Sequence, residues 1–267
     1  MTRKELIGQM QQKKSCLCIG LDPEISKLPL HLQHQDQAIV DFCKEIIDST
    51  HDLAVAYKPN IAFFECLGAK GWDMLEEIKA FIPEHIFTIA DAKRGDIGNT
   101  SRMYAQCFFD KYSFDAITVA PYMGEDSVRP FLEFEDKWVI LLGLTSNVGA
   151  QDFQELSVQN RQLYEFVIEK ASSWATEDQL MFVVGATKAE NMAKVREIVP
   201  NYFLLVPGIG AQGGDVQQTM LKGKNNDIGL LVNASRSILY ASSEEDFALK
   251  AREEAKKLRN LMLQYFD

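Results

Sequence analysis

Short apolar runs rich in β-branched residues recur along the chain, and each ends in polar or glycine-containing residues. They are CLCIGLD (16–22), LAVAYKPN (53–60), IFTIADAK (86–93), AITVAPY (116–122), WVILLGLTS (138–146), LMFVVGAT (180–187), FLLVPGIG (203–210) and IGLLVNAS (228–235). Most are nearly continuously apolar, as strands buried on both faces of a parallel sheet should be. Between most of them the period becomes that of a helix. Residues 36–50 put Ile39, Phe42, Cys43, Ile46 and Ile47 on one face, and residues 190–200 do the same with Met192, Val195 and Val199. The longest connection, 148–179, is expected to hold a helix around 157–174. A long helix is expected over 243–266. Ser242 with Glu245, and Thr2 with Glu5, have the spacing of a capping box.

Eight strands alternating with helices predict an α/β fold, a (β/α)8 TIM barrel forming a single domain over 1–267. The competing architecture is an open doubly wound sheet. The strand ends favour the barrel: LDPE, KPN, DAKRGD, PYMG, LTSN, GATK, PGIGAQGG and NASRS follow in turn. A barrel of this type builds its active site at that C-terminal face. No linker or low-complexity tract divides the chain, and 267 residues suit one such barrel.

The formal net charge of −10 argues against bulk nucleic-acid binding, which needs a basic surface. It leaves room for a small phosphorylated ligand held by a few local residues. The N-terminal MTRKELIGQMQQKK has no apolar signal region, and runs such as VILLGL (139–144) are too short to span a bilayer. A cytoplasmic protein without a membrane partner is expected. Cys16, Cys18, Cys43, Cys66 and Cys107 form no CxxC pair and are expected to be reduced and mostly buried.

The strongest chemical signal is the run Asp91-Ala92-Lys93-Arg94-Gly95-Asp96 at the end of the third strand. Residues two apart on a strand share a face, so Asp91 and Lys93 should project together. Lys58 ends the neighbouring second strand and should meet Asp91. Asp96 lies in the following turn and can reach back, or outward to another subunit. Buried charges of this kind must be paired. The second signal is a phosphate site. Gly208, Gly210, Gly213 and Gly214 after the seventh strand let backbone amides approach an anion, and Arg236 after the eighth offers a charge-assisted contact. The loops after strands seven and eight commonly grip phosphate in this barrel. His31, His34, His51 and His85 lack metal-ligand spacing and read as surface or capping residues. Phe63, Phe64, Phe108 and Phe109 read as core. No nucleophile-elbow, Walker or dinucleotide motif is present, and neither a metal nor an organic cofactor is expected.

With these residues in view, ADAKRGDIGNT resembles the signature of the orotidine 5′-phosphate decarboxylases, D-x-K-x-x-D followed by Ile or Val and then Ser or Thr. The resemblance spans the chain through GLDP, YKPN, PY and its following glycine, TSN, PGIGAQGGD and SRS. The length and the segment between strands five and six are similar to those of the longer bacterial members. It implies a cofactor-free conversion of orotidine 5′-monophosphate (OMP) to uridine 5′-monophosphate (UMP), the last step of UMP biosynthesis. Lys93 is similar to the lysine that delivers a proton to C6, and Lys58, Asp91 and Asp96 to the rest of its charge network. Asp96 would come from the partner in a homodimer. Asp22 and Thr100 resemble ribose contacts, Ser146 the pyrimidine contact, and Asn60 a supporting polar residue. Gln212 and Arg236 resemble the phosphate pair, with Gly213 and Ser235 beside them in the substrate-binding set. Gly98 stands where many members carry proline, which bears on the rigidity of the turn after Asp96. Two alternatives are a magnesium-dependent sugar-phosphate decarboxylase on the same barrel and a catalytically silent barrel that binds a phosphorylated ligand.

Overall fold

The computed structural model describes residues 1–210 and 214–266, the side chains of 188 and 189 excepted. Eight parallel strands close into a barrel. They are β1 (Leu17–Leu21), β2 (Ala56–Pro59), β3 (Phe87–Arg94), β4 (Ala116–Val119), β5 (Trp138–Leu144), β6 (Leu180–Val184), β7 (Phe203–Pro207) and β8 (Leu230–Ala234). Neighbours in sequence are neighbours in the sheet, and β8 pairs with β1 to complete the ring. Closure excludes the open doubly wound alternative. It also explains the unbroken apolar runs, because one face of each strand packs into the barrel and the other under the helices.

The expected faces are the ones buried. Helix Ala38–Thr50 buries Ile39, Phe42, Cys43, Ile46 and Ile47, and helix Ala189–Ile198 with the following Val199 buries Met192, Val195 and Val199. Phe42 stacks on Phe247 of the terminal helix at 5.1 Å between ring centroids, tying the first helical layer to the last. Both capping-box bonds of Thr2 and Glu5 are present at the start of helix Arg3–Lys13. Cys16, Cys18 and Cys43 are buried, Cys107 is partly exposed, Cys66 is exposed, and all five are free thiols. No helix among the described residues is long and apolar enough to cross a membrane.

Two local expectations fail. Ser242 and Glu245 do not cap the terminal helix, which begins at Phe247; Ser242 instead donates to Asp246 Oδ1 at 2.6 Å and accepts from the Glu244 amide. The Glu244 amide, two residues on, takes the hydroxyl as its acceptor, closing a local turn before the helix begins. The segment expected as helix from 157 opens with a hairpin, Ser157–Val158 against Arg161–Gln162, and only Leu163–Ser172 is helical. Gln159 and Asn160 both take positive φ, the conformation of a tight hairpin turn.

Candidate active site

The strand ends converge on a cavity of about 180 Å³ at the C-terminal mouth of the barrel. Asp22 follows β1, Lys58 lies in β2 with Asn60 just beyond it, and Asp91 lies in β3. Gly208 and Ile209 follow β7, Asn233 lies in β8 one residue before its end, and Ser235 and Arg236 open the short helix after it; all of these line the cavity.

Asp91 is the hub. It is 9% exposed and accepts from Lys58 Nζ at 2.6 Å and Lys93 Nζ at 2.5 Å on opposite oxygens. The Thr118 hydroxyl adds a third bond, at 3.1 Å. Burial opposes charge on both members of the Lys58–Asp91 pair, but their mutual attraction outweighs it. The two ammoniums hold Asp91 well below the usual carboxylate range, and Asp91 with Asp22 holds Lys58 above the ordinary lysine value. Burial pushes the neighbouring Cys18 thiol up to about 12, so it stays neutral and donates weakly to Asn233 Oδ1 at 3.4 Å.

Lys93 does not reach Asp91 by simple strand alternation. The β3–β4 register shifts between Ala90 and Arg94, and Lys93 sits at φ 47° in the left-handed region. Its amide donates to Thr118 Oγ1 at 2.8 Å, while the same hydroxyl donates to Asp91. One buried threonine thus fixes both the backbone of the lysine and the carboxylate it touches. A non-glycine residue in this region costs energy and persists where neighbours hold it. Arg94 turns away, packing its guanidinium over Tyr104 and Phe108 and pairing with Glu65.

Asp22 supplies an acceptor with no partner. Its Oδ1 is buried and makes no hydrogen bond among the described residues. Leaving a carboxylate oxygen in this state is costly, so the position suits a hydroxyl arriving from a ligand. Arg236 is exposed at the mouth and makes no ion pair with a described residue. Gly208 and Gly210 have φ of 98° and 74°, and a Cβ on Gly214 would lie 2.7 Å from Gly208 O. Glycine is needed at these positions, and the amides of Gly210 and Gly214 donate within the turn, to Gly214 O and Gly208 O. Gln212 and Gly213 lie outside the described residues.

Other predicted residues are not in this cavity. Asp96 makes no ion pair with Lys58, Lys93 or any other described residue; its carboxylate accepts from the Ile97 amide at 2.8 Å. Thr100 is exposed on helix Gly98–Gln106. Ser146 lies beyond β5, half-buried against Gly185. Gly98 has φ 50°, a conformation closed to proline. Thr118 and Asn233, 1% and 5% exposed, are site residues that sequence reasoning passed over. The available signal was a polar residue inside an otherwise apolar barrel strand.

Comparison with known proteins places this geometry. The model of the orotidine 5′-phosphate decarboxylase / HUMPS family matches residues 15–251. The chain belongs to that family. The orotidine 5′-phosphate decarboxylase of Flavobacterium johnsoniae is 57% identical over 100% of this chain and 99% of its own, and that of Christiangramia forsetii is 52% identical over 98% and 97%. Among solved structures, Leishmania donovani OMP decarboxylase superposes with a TM-score of 0.83 at 39% identity, covering 97% of this chain and all of that one. In this decarboxylase-family barrel, Asp91 and Lys93 lie on β3, and Asp91 lines the cavity.

Proposed function

We propose that this protein decarboxylates OMP to UMP and carbon dioxide, the final step of UMP biosynthesis, with its own side chains and no cofactor. The observation that carries the reading is Asp91 bridging two ammoniums beside a cavity whose far side offers a glycine turn and Arg236. Decarboxylation breaks the C6–carboxylate bond and leaves its electron pair on a ring carbon that delocalises it poorly. The Lys93 ammonium stabilises that charge as it develops and then transfers a proton to C6. Carbon dioxide departs, and the neutral lysine regains a proton from solvent. Lys58 keeps Asp91 ionised, and Asp91 keeps Lys93 aimed.

Asp22 would accept from a ribose hydroxyl, with Asn60 beside it. Ser146 would read the pyrimidine. Arg236, Ser235 and the glycine turn with Gln212 and Gly213 would hold the phosphate. Phosphate binding far from C6 helps to organise the charge network, so it should raise kcat as well as lower KM. Asp96 and Thr100, which do not line their own cavity, would complete the site of a second subunit in a homodimer.

A magnesium-dependent sugar-phosphate decarboxylase is the nearest other reading. Lys58 opposes it, because a buried ammonium occupies a position where a magnesium site would place a carboxylate. The experiment is to mix EDTA-treated protein with OMP and follow the loss of orotate absorbance, identifying UMP as product. Metal-independent conversion supports the proposal. Activity lost with EDTA and restored by magnesium refutes it, and OMP bound without turnover would mark a silent barrel.

A further inference from the structure

The segment between β5 and helix Leu163–Ser172 leaves the barrel, forms the small hairpin and returns. Gln154 gives this segment a polar grip on the barrel mouth. The last sheet bond at the end of β5 runs from the Gly185 amide to Leu144 O, at 2.8 Å. The next amide, Thr145 N, donates to Gln154 Oε1 at 2.7 Å. Gln154 Nε2 donates to Thr145 Oγ1 at 2.9 Å, and that hydroxyl donates to Asn147 Oδ1 at 2.6 Å. An amide N–H can only donate, so it sets the carboxamide's orientation and leaves Nε2 facing the hydroxyl. Gln154 therefore takes the place of a neighbouring strand for Thr145 and holds both ends of the residue.

The grip is anchored from behind. Gln154 O accepts from the Tyr164 amide at 2.9 Å, at the start of helix Leu163–Ser172. That helix buries Tyr164 and Ile168 completely, and a Cβ on Gly143 would meet Ile168 Cδ1 at 2.9 Å, so the helix is seated tightly on β5. On the other side, a Cβ on Gly185 would come within 2.9 Å of Ser146 N and Cα. Ser146 is held between a glycine that lets its backbone approach β6 and a preceding residue that Gln154 fixes at two atoms.

We infer that Gln154 is a positioning residue for pyrimidine recognition, acting on Ser146 through Thr145; this rests on the assignment of Ser146 to the pyrimidine made above. The segment between β5 and β6 is then a brace for the base-reading loop. Displacing a substrate-positioning group by about an ångström can cost on the order of 10²-fold.

The test compares wild-type protein, Gln154→Ala, Ser146→Ala and the double variant. It measures kcat and KM for OMP and the dissociation constants of UMP and ribose 5-phosphate by calorimetry. Gln154→Ala should lower kcat/KM by about 10- to 100-fold. It should weaken UMP while leaving ribose 5-phosphate within about twofold, and cost less than about threefold when Ser146 is already alanine. Gln154→Glu still accepts from the Thr145 amide and should recover most of the preference for UMP. Equal weakening of both ligands, or full additivity with Ser146→Ala, would show a merely structural role and overturn the proposal. Wild-type protein that binds UMP no better than ribose 5-phosphate would overturn the pyrimidine site itself. Wild-type selectivity that survives Gln154→Ala would overturn this proposal alone. If Gln154→Ala does not fold, Thr145→Val removes one end of the grip and should cost about three- to tenfold, again only for UMP.

Discussion

Replacing Asp91 by asparagine keeps the shape of the side chain and removes its charge. Lys58, 4% exposed, is then a buried ammonium facing an amide that cannot neutralise it. Breaking a buried pair from one side costs about 3–5 kcal/mol, and the nearby Asp22 carboxylate places the expectation at the lower end, about 3 kcal/mol. For 267 residues the unfolding entropy is about 0.56 kcal/mol per kelvin, so Tm should fall by about 5 °C at neutral pH. The pH dependence is more diagnostic than the size. In the wild type Lys58 is held above its ordinary value, so its stabilisation is complete below that value and is lost as pH rises through the folded one. In Asp91→Asn burial prevails and Lys58 drops below its unfolded value. The unfolded chain then binds the extra proton, and the variant recovers stability as pH rises toward 10. Calorimetry from pH 7 to 10 at fixed protein concentration should show the Tm difference between the two proteins narrowing. A difference that is constant, or below about 1 °C throughout, would refute the view that Asp91 balances a buried Lys58. Turnover should fall at least about 10²-fold, because Lys93 loses its only carboxylate partner among the described residues.

Lys93→Ala should lower kcat by at least about 10²- to 10³-fold while UMP still binds; wild-type-like kcat would remove Lys93 from the mechanism. Arg236→Ala should weaken phosphate-bearing ligands by about 10- to 100-fold and leave uridine unchanged in calorimetric titration, and equal losses for both would contradict the phosphate assignment. Arg196 donates to the carbonyls of Val199, Tyr202, Gly223 and Gly229, and burial with Arg3 nearby lowers its pKa to about 10. Arg196→Met orphans these carbonyls and should lower Tm by about 5 °C without changing kcat at 25 °C; an unchanged Tm would show that the carbonyls find other partners.

The barrel was legible because its signal is redundant: eight apolar runs, each ending in polar residues, describe one closed sheet. The cluster at the mouth was half legible. Lys58 and Asp91 meet through regular strand adjacency, which sequence spacing captures. Lys93 meets Asp91 through a register shift and a left-handed backbone, which alternation does not describe. Thr118 and Asn233 stayed hidden because a threonine or asparagine in an apolar strand declares no charge, and its partners lie on other strands. The hairpin at 157–162 was masked by helix-forming neighbours, although Gln159-Asn160 suits a tight turn. Gln154 was hidden most deeply, since its partner Thr145 belongs to another element and only folding sets them face to face.

The two lysines on Asp91 differ in exposure, and the proposed mechanism would give them unequal roles. Lys93 has 52% of its side chain exposed, and Lys58 has 5%. An acid that gives a proton to C6 in every turnover must recover one from solvent each time, and Lys93 has that access. Lys58 does not, and deprotonating it would leave Asp91 with less reason to remain ionised in a buried site. In the proposed mechanism the buried lysine would thus serve as a permanent counter-charge, and the exposed one as the proton donor. The same division explains why Asp91 is shared. A carboxylate paired with Lys93 alone would be neutralised by its proton donor and lose its hold once that donor became neutral. With Lys58 on its other oxygen, Asp91 would stay charged through the proposed proton transfer and keep Lys93 aimed for the next substrate.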